Sequence, residues 1–176
     1  MERVLGAIKI KGKKDTLPKR EEYLLYHGGR FKIDSAKSEG IEFEKMAPFS
    51  SGRFQIYRKL YVVGGERQRR QKTEYLPSLF SLDYSGKQVE LEPMRKERGM
   101  LSVSGLQSVL VAVGGWNQHS LDDCEKFLIR VNKWRELPPL NAARFRCGTV
   151  LLQSWQAFCF CGSEKADRDL NSIEKL

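Results

Sequence analysis

The 176-residue sequence is poor in the residues that most chemistry needs, with two histidines, His27 and His119, and four cysteines. Histidine is the side chain whose ordinary pKa suits proton transfer near neutrality, so general acid–base catalysis has few candidates. His27 is followed at once by glycine and reads as a packed or edge residue. His119 stands in the polar stretch Trp116-Asn117-Gln118-His119-Ser120-Leu121-Asp122-Asp123. Its neighbours Ser120, Asp122 and Asp123 do not make a nucleophile relay, because local spacing in a loop demonstrates no such geometry. Turn formation and solvation explain them better. No catalytic residue is assigned, and the protein is expected not to be an enzyme.

Metal and phosphate chemistry are short of motifs too. Cys159 and Cys161 lie two apart, but Cys124 and Cys147 are isolated, and no Cys-x-x-Cys knuckle with a matching second pair occurs. Cys147 and Cys159 read as small core residues within strands, reduced thiols fit a cytosolic protein, and neither a metal nor a cofactor is expected. No glycine pair opens into the Gly-Lys-Ser/Thr or Gly-x-x-Gly spacing of a phosphate loop. Apolar stretches such as 109–113 fall far short of the roughly 20 residues that span a bilayer. The N-terminus has too short an apolar core for a signal peptide and runs straight into Lys9, Lys11, Lys13 and Lys14. A cytoplasmic protein without a membrane partner is expected, and residues 1–22 read as a basic, polar leader.

What the chain has in abundance is repetition. Leu60-Tyr61-Val62-Val63-Gly64-Gly65 returns as Leu110-Val111-Ala112-Val113-Gly114-Gly115. A forerunner ends in Gly28-Gly29, and an echo runs through Ala157-Phe158-Cys159-Phe160-Cys161-Gly162. These starts lie 36, 50 and 47 residues apart. A period near 40 to 50 residues points to a propeller or solenoid. A second register runs through arginines. The segment 43–53 aligns without a gap on 134–144, 91–98 repeats its tail, and Arg53, Arg98 and Arg144 recur.

Each unit reads as short strands. An apolar run ending in two glycines is a buried strand entering a turn, since glycine takes positive φ without a Cβ penalty. Residues 147–152 and 157–161 predict one hairpin, and 126–130 with 134–137 predict another around 131–133. Four short strands per repeat make one blade.

These residues resemble the kelch repeat: an apolar strand, the pair Gly114-Gly115, the spaced aromatics Phe127 and Trp134, then Leu137-Pro138-Pro139 and Arg144. The resemblance runs from about residue 23 to the C-terminus and implies an all-β, partial propeller of four-stranded antiparallel blades. Units fall at about 23–53, 54–98, 99–144 and 145–176. Two are complete and the flanking ones partial. The resemblance also implies a non-catalytic module that binds a protein partner through interblade loops, whereas some kelch-like propellers are enzymes. Incomplete blades would favour self-association through unpaired edges, with 170–176 the expected strand.

Charge narrows the partner. Lys and Arg number 31 against 22 Asp and Glu, a formal net charge of +9, which suits an acidic protein surface and, less well, nucleic acid. Nucleic acid would favour exposed aromatics among the arginines, and Tyr75 and Trp116 are only loosely placed for that. The run Arg67, Arg69, Arg70 and Lys72 is expected in a loop after Gly65. With Arg95, Lys96, Trp116 and His119 it makes the candidate partner-binding set. The residues Gly28, Gly29, Gly64, Gly65, Gly114, Gly115, Phe127, Trp134, Arg53, Arg98 and Arg144 make the structural motif.

Overall fold

The structure is a computed structural model that describes residues 22–26, 29–33, 48–69, 72–83, 85 and 87–176. Gly28, His27, Arg70 and all of the leader up to residue 21 lie outside the described residues. The architecture is all-β. A short hairpin of β1 (Glu22–Tyr26) and β2 (Gly29–Ile33) comes first and forms a two-stranded sheet by itself. Here the forerunner departs from the repeat. Gly29 opens β2 and pairs with Tyr26 of β1, so it begins the second strand of a hairpin and does not end an inner blade strand.

The first four-stranded blade joins β3 (Gly52–Ile56), β4 (Lys59–Val63), β7 (Leu79–Asp83) and β8 (Gln88–Leu91) in that order. The second repeats it with β9 (Ser102–Leu106), β10 (Val109–Val113), β13 (Cys124–Leu128) and β14 (Lys133–Leu137). A third joins β15 (Gly148–Leu151), β16 (Ala157–Phe160) and β19 (Ile173–Lys175). All pairings are antiparallel. The fold is a partial propeller of kelch-like blades. Between the second and third strand of every blade a two-stranded arm is inserted: β5 (Glu66–Arg69) with β6 (Lys72–Tyr75), β11 (Trp116–Asn117) with β12 (His119–Ser120), and β17 (Ser163–Lys165) with β18 (Arg168–Asp169).

Blade faces explain the sequence pattern. The second strand of each complete blade is covered on both sides, so Leu60 to Val63 and Leu110 to Val113 are all buried and read as unbroken apolar runs. One apolar cluster, with Tyr61, Leu79, Leu110, Phe127 and Trp134, fills the space between the first and second blades. Another, with Val111, Val113, Leu151, Ala157 and Cys159, fills the space between the second and third. The glycines where these strands end need positive φ: +60° at Gly64 and +58° at Gly114. A Cβ on Gly64 would stand 2.5 Å from the Arg98 carbonyl oxygen, and one on Gly114 would collide with that of Arg144. Cys161 takes the same left-handed conformation, at φ 56°, with a side chain attached.

Arg98 and Arg144 have no exposed side-chain surface. Each leaves the link that follows a blade and reaches into the next. Arg98 donates to the Gly114 carbonyl at 3.0 Å, to the Asp123 carbonyl at 2.8 Å and to Glu125 at 2.6 Å. Arg144 donates to the Cys161 and Ser172 carbonyls and to Glu174. The same three kinds of partner recur in register, because the amides of Gly114 and Cys161 bond the carbonyls of Asp123 and Ser172. Each carboxylate also accepts backbone N–H groups of the preceding link, Arg95 for Glu125 and Asn141 for Glu174. A buried charge is tolerable only with such pairing.

Arg53 does not belong to this series. The left-handed residues before each blade are Ser50, Met100 and Arg146, and the bridges Phe49 to Glu66, Gly99 to Trp116 and Phe145 to Ser163 precede them. Counting back from these anchors, Pro48 occupies the place of Arg98 and Arg144. Arg53 lies inside β3, opposite Val62. The gap-free alignment slipped by five residues because the first Gly-Gly spacing is longer than the arginine spacing. At the place of Glu125 and Glu174 the first blade has the buried Phe80, two residues after Ser78, whose carbonyl accepts from Gly64.

Candidate interaction surface

The arms and the interblade links emerge at one end of the blades. Every arm starts at the residue after a positive-φ pair, and every link crosses from the end of a fourth strand to the start of the next first strand. The bridges at Phe49, Gly99 and Phe145 stitch link to arm there. The first arm differs from the expectation of a loop. Residues 66–69 and 72–75 pair as a hairpin, with Glu66 opposite Tyr75, Arg67 opposite Glu74, Gln68 opposite Thr73 and Arg69 opposite Lys72. Long polar side chains are no bar to a strand whose faces are wet, and the Gln68–Thr73 side-chain bond at 2.8 Å ties the two strands together.

Charges on this arm are only partly matched. Arg67, Arg69 and Lys72 are exposed. Arg69 approaches Glu74 at 3.5 Å, an exposed pair that screening weakens. Arg67 and Lys72 make no ion pair among the described residues. Lys72 directly opposite Arg69 adds like-charge repulsion, which a bound anion would relieve.

The other candidates separate into different environments. Arg95 and Lys96 stand on the link beside the second blade, where Arg95 pairs with Glu136 and Lys96 with Asp123 at 2.5 Å. They line a cleft of about 200 Å³ together with Cys124, Glu125, Leu137 and Pro139. Their charge is therefore already answered. Trp116 is half-buried on the second arm and packs edge-on against Phe145 at 4.9 Å, with Arg146 over the other ring at 5.6 Å from its centroid. That contact joins one arm to the next link. His119 is exposed and pairs with Asn117 across the left-handed Gln118. The third arm mixes signs, with Arg168 bonded to Glu164 at 2.9 Å.

Sequence reasoning missed Glu125 and Glu174. The signal was available: they lie 49 residues apart, close to the repeat spacing, and each follows a short polar stretch. Among the described residues no three His, Cys, Asp or Glu side chains gather as a metal site requires. The thiols differ by environment. Burial pushes Cys124 up to about 12. The neighbouring Cys147 and Cys159 thiols shift in opposite directions through their mutual interaction, Cys147 upward and Cys159 downward. Cys161 alone is exposed. Brief alkylation of the native protein at neutral pH is accordingly expected to label Cys161 first and leave Cys124 unmodified until denaturant is added, which peptide mass mapping reads directly. Early labelling of Cys124 would show that the second blade opens readily.

Among the described residues no helix is long and apolar enough to cross a membrane. A family model for the Kelch motif matches residues 97–141, which take in Arg98, the second blade and its arm. No curated protein matches the chain.

Proposed function

We propose that the chain, whose residues 97–141 match the Kelch motif, is a non-catalytic interaction module that holds an acidic segment of a partner protein against its first arm. The observation that carries this reading is the β5–β6 hairpin, on which the exposed Arg67 and Lys72 make no ion pair among the described residues. Kelch repeats generally serve protein interaction, and an arm inserted outside the four-stranded sheets can vary without disturbing the blade core. Arg95 and Lys96 form a second tier, since a partner would have to compete with Glu136 and Asp123 for them. Trp116 and His119 lie on the second arm and would shape the edge of the surface. The cytoplasm fits this reading, because it keeps free thiols reduced.

A nucleic-acid ligand ranks second. Stacking needs free aromatic faces beside the cations, and Trp116 is committed to Phe145. Replacing Arg67, Arg69 and Arg70 together by serine is expected to slow association with an acidic peptide by on the order of 10-fold at low salt, with the gap narrowing as salt rises. The melting temperature should move little, because exposed arm residues lie outside the apolar clusters. Stopped-flow association and thermal melts measure both. Unchanged peptide binding alongside lost binding of single-stranded RNA would reverse the ranking, and loss of neither would return the arm to an ordinary solvated hairpin.

A further inference from the structure

The first arm has one engaged edge and one open edge. Glu66 of β5 exchanges both backbone hydrogen bonds with Phe49 of the incoming link, which occupies the outer side of β5 there. Glu66 lies opposite Tyr75, and backbone direction alternates along an antiparallel pair, so Thr73 and Tyr75 aim their N–H and C=O groups away from β5. The Leu76 N–H, which bonds the Gly65 carbonyl, fixes the same parity independently. No strand pairs with that outer side of β6 among the described residues. The other arms differ: β12 of the second lies beside β17 of the third, while β6 and β11 make no comparable approach.

Side chains make this edge selective. Residues opposite one another share a face, so Arg67, Arg69, Lys72 and Glu74 project together and all are exposed, whereas Thr73 and Tyr75 turn to the other face and are half-buried. An incoming strand therefore meets Lys72, Thr73 and Glu74 in order along the edge. It matches them with an acidic residue opposite Lys72, a strand-forming residue opposite Thr73 and a basic residue opposite Glu74. Read antiparallel, that order is basic, β-branched, acidic, which is Lys72-Thr73-Glu74 itself. The segment is its own complement. Pairing about Thr73 puts the two threonines at the hydrogen-bonded site. Each Lys72 then lies opposite Glu74 of the other copy at the flanking sites, where opposing Cβ atoms are about 4.5–5.5 Å apart. The next register that keeps backbone parity, Thr73 opposite Tyr75, would set Glu74 against Glu74. Charge thus selects one register. It also answers the repulsion between Arg69 and Lys72, because the incoming Glu74 lands beside Lys72.

We infer that β6 pairs with β6 of a second copy of this chain, joining the two first arms into a continuous four-stranded sheet. The contact is isologous, so it closes at two chains. It leaves Arg67 and Arg69 exposed on both arms, and so neither requires nor forbids the acidic partner proposed above.

The test uses the full chain. Light scattering from low micromolar to near-millimolar concentration should show the mass rising toward twice that of one chain and no further. Lys72→Glu sets glutamate against glutamate and Glu74→Lys sets lysine against lysine, so each variant alone should stay at the mass of one chain. An equimolar mixture of the two restores opposite charges at both positions and should form pairs, as should the double variant Lys72→Glu/Glu74→Lys by itself. Thr73→Pro, which removes the central outward N–H, should stay single. Wild type that remains at the mass of one chain throughout, growth beyond two chains, single variants that pair like wild type, or a mixture that fails to pair would each overturn the proposal. Acidic-peptide binding reads the earlier proposal separately, since Glu74→Lys should lose self-pairing while it keeps or strengthens its hold on the peptide.

Discussion

Arg98→Met is expected to destabilise the protein by about 3–5 kcal/mol, more than any substitution on the arms. The methionine fills much of the space but offers no donors. It leaves the Gly114 and Asp123 carbonyls short of a partner and Glu125, 3% exposed, as a buried carboxylate held only by the Arg95 amide. Glu125→Leu should cost a similar amount by stranding the guanidinium. The double variant should lose less than the two single losses together, because no uncompensated charge then remains. Urea denaturation of the four proteins gives the coupling directly. A loss under about 1 kcal/mol for Arg98→Met would mean that water reaches the pair and that the blades are less tightly apposed than the structure shows.

Trp134→Ala should lose about 3–5 kcal/mol, the range for truncating a buried aromatic. Trp134 is 5% exposed, stacks obliquely on Phe127, and donates its indole N–H to the Glu92 carbonyl at 2.7 Å. It therefore ties the outer strand of the second blade to the link leaving the first. Trp134→Phe keeps a ring over Phe127 and gives up the hydrogen bond, so a loss nearer 1 kcal/mol for that bond plus a smaller packing deficit is expected. Equal denaturation midpoints for wild type and the alanine variant would place Trp134 in solvent and reopen it as a contact residue.

The blades were readable in the sequence because their inner strands are buried on both sides and end in a left-handed turn. Those two constraints leave a mark, an apolar run followed by glycines, that does not depend on distant contacts. The hairpin of 148–151 with 157–160 was readable for a related reason, since a short polar turn separates two apolar segments. The arms were harder. Residues 66–69 and 72–75 are exposed or half-buried throughout, so their pairing rests on cross-strand polar contacts such as Gln68 with Thr73, and composition alone suggested a loop. Arg53 was misplaced because an arginine is visible in sequence but its burial is not, and an alignment made without gaps crossed a spacing that changes between units. Glu125 was passed over for a similar reason: its importance lies in meeting a charge that comes from 27 residues earlier.

The pairing of each link with the blade that follows works as a sorting rule for blade order. A link bearing arginine must be followed by a blade that offers a glutamate two residues after its strand-opening carbonyl, as Arg98 is by Glu125 and Arg144 by Glu174. The first blade is entered through Pro48 and has Phe80 at that place. Transplanting it behind an arginine link would bury a cation against a phenyl ring, and moving the second blade behind Pro48 would bury a carboxylate with no cation. The sequence of modules is thus written into the interior at one pair of positions per junction. Recombination that shuffles whole blades can succeed only between units that share the same pair, however well their outer strands and arms match.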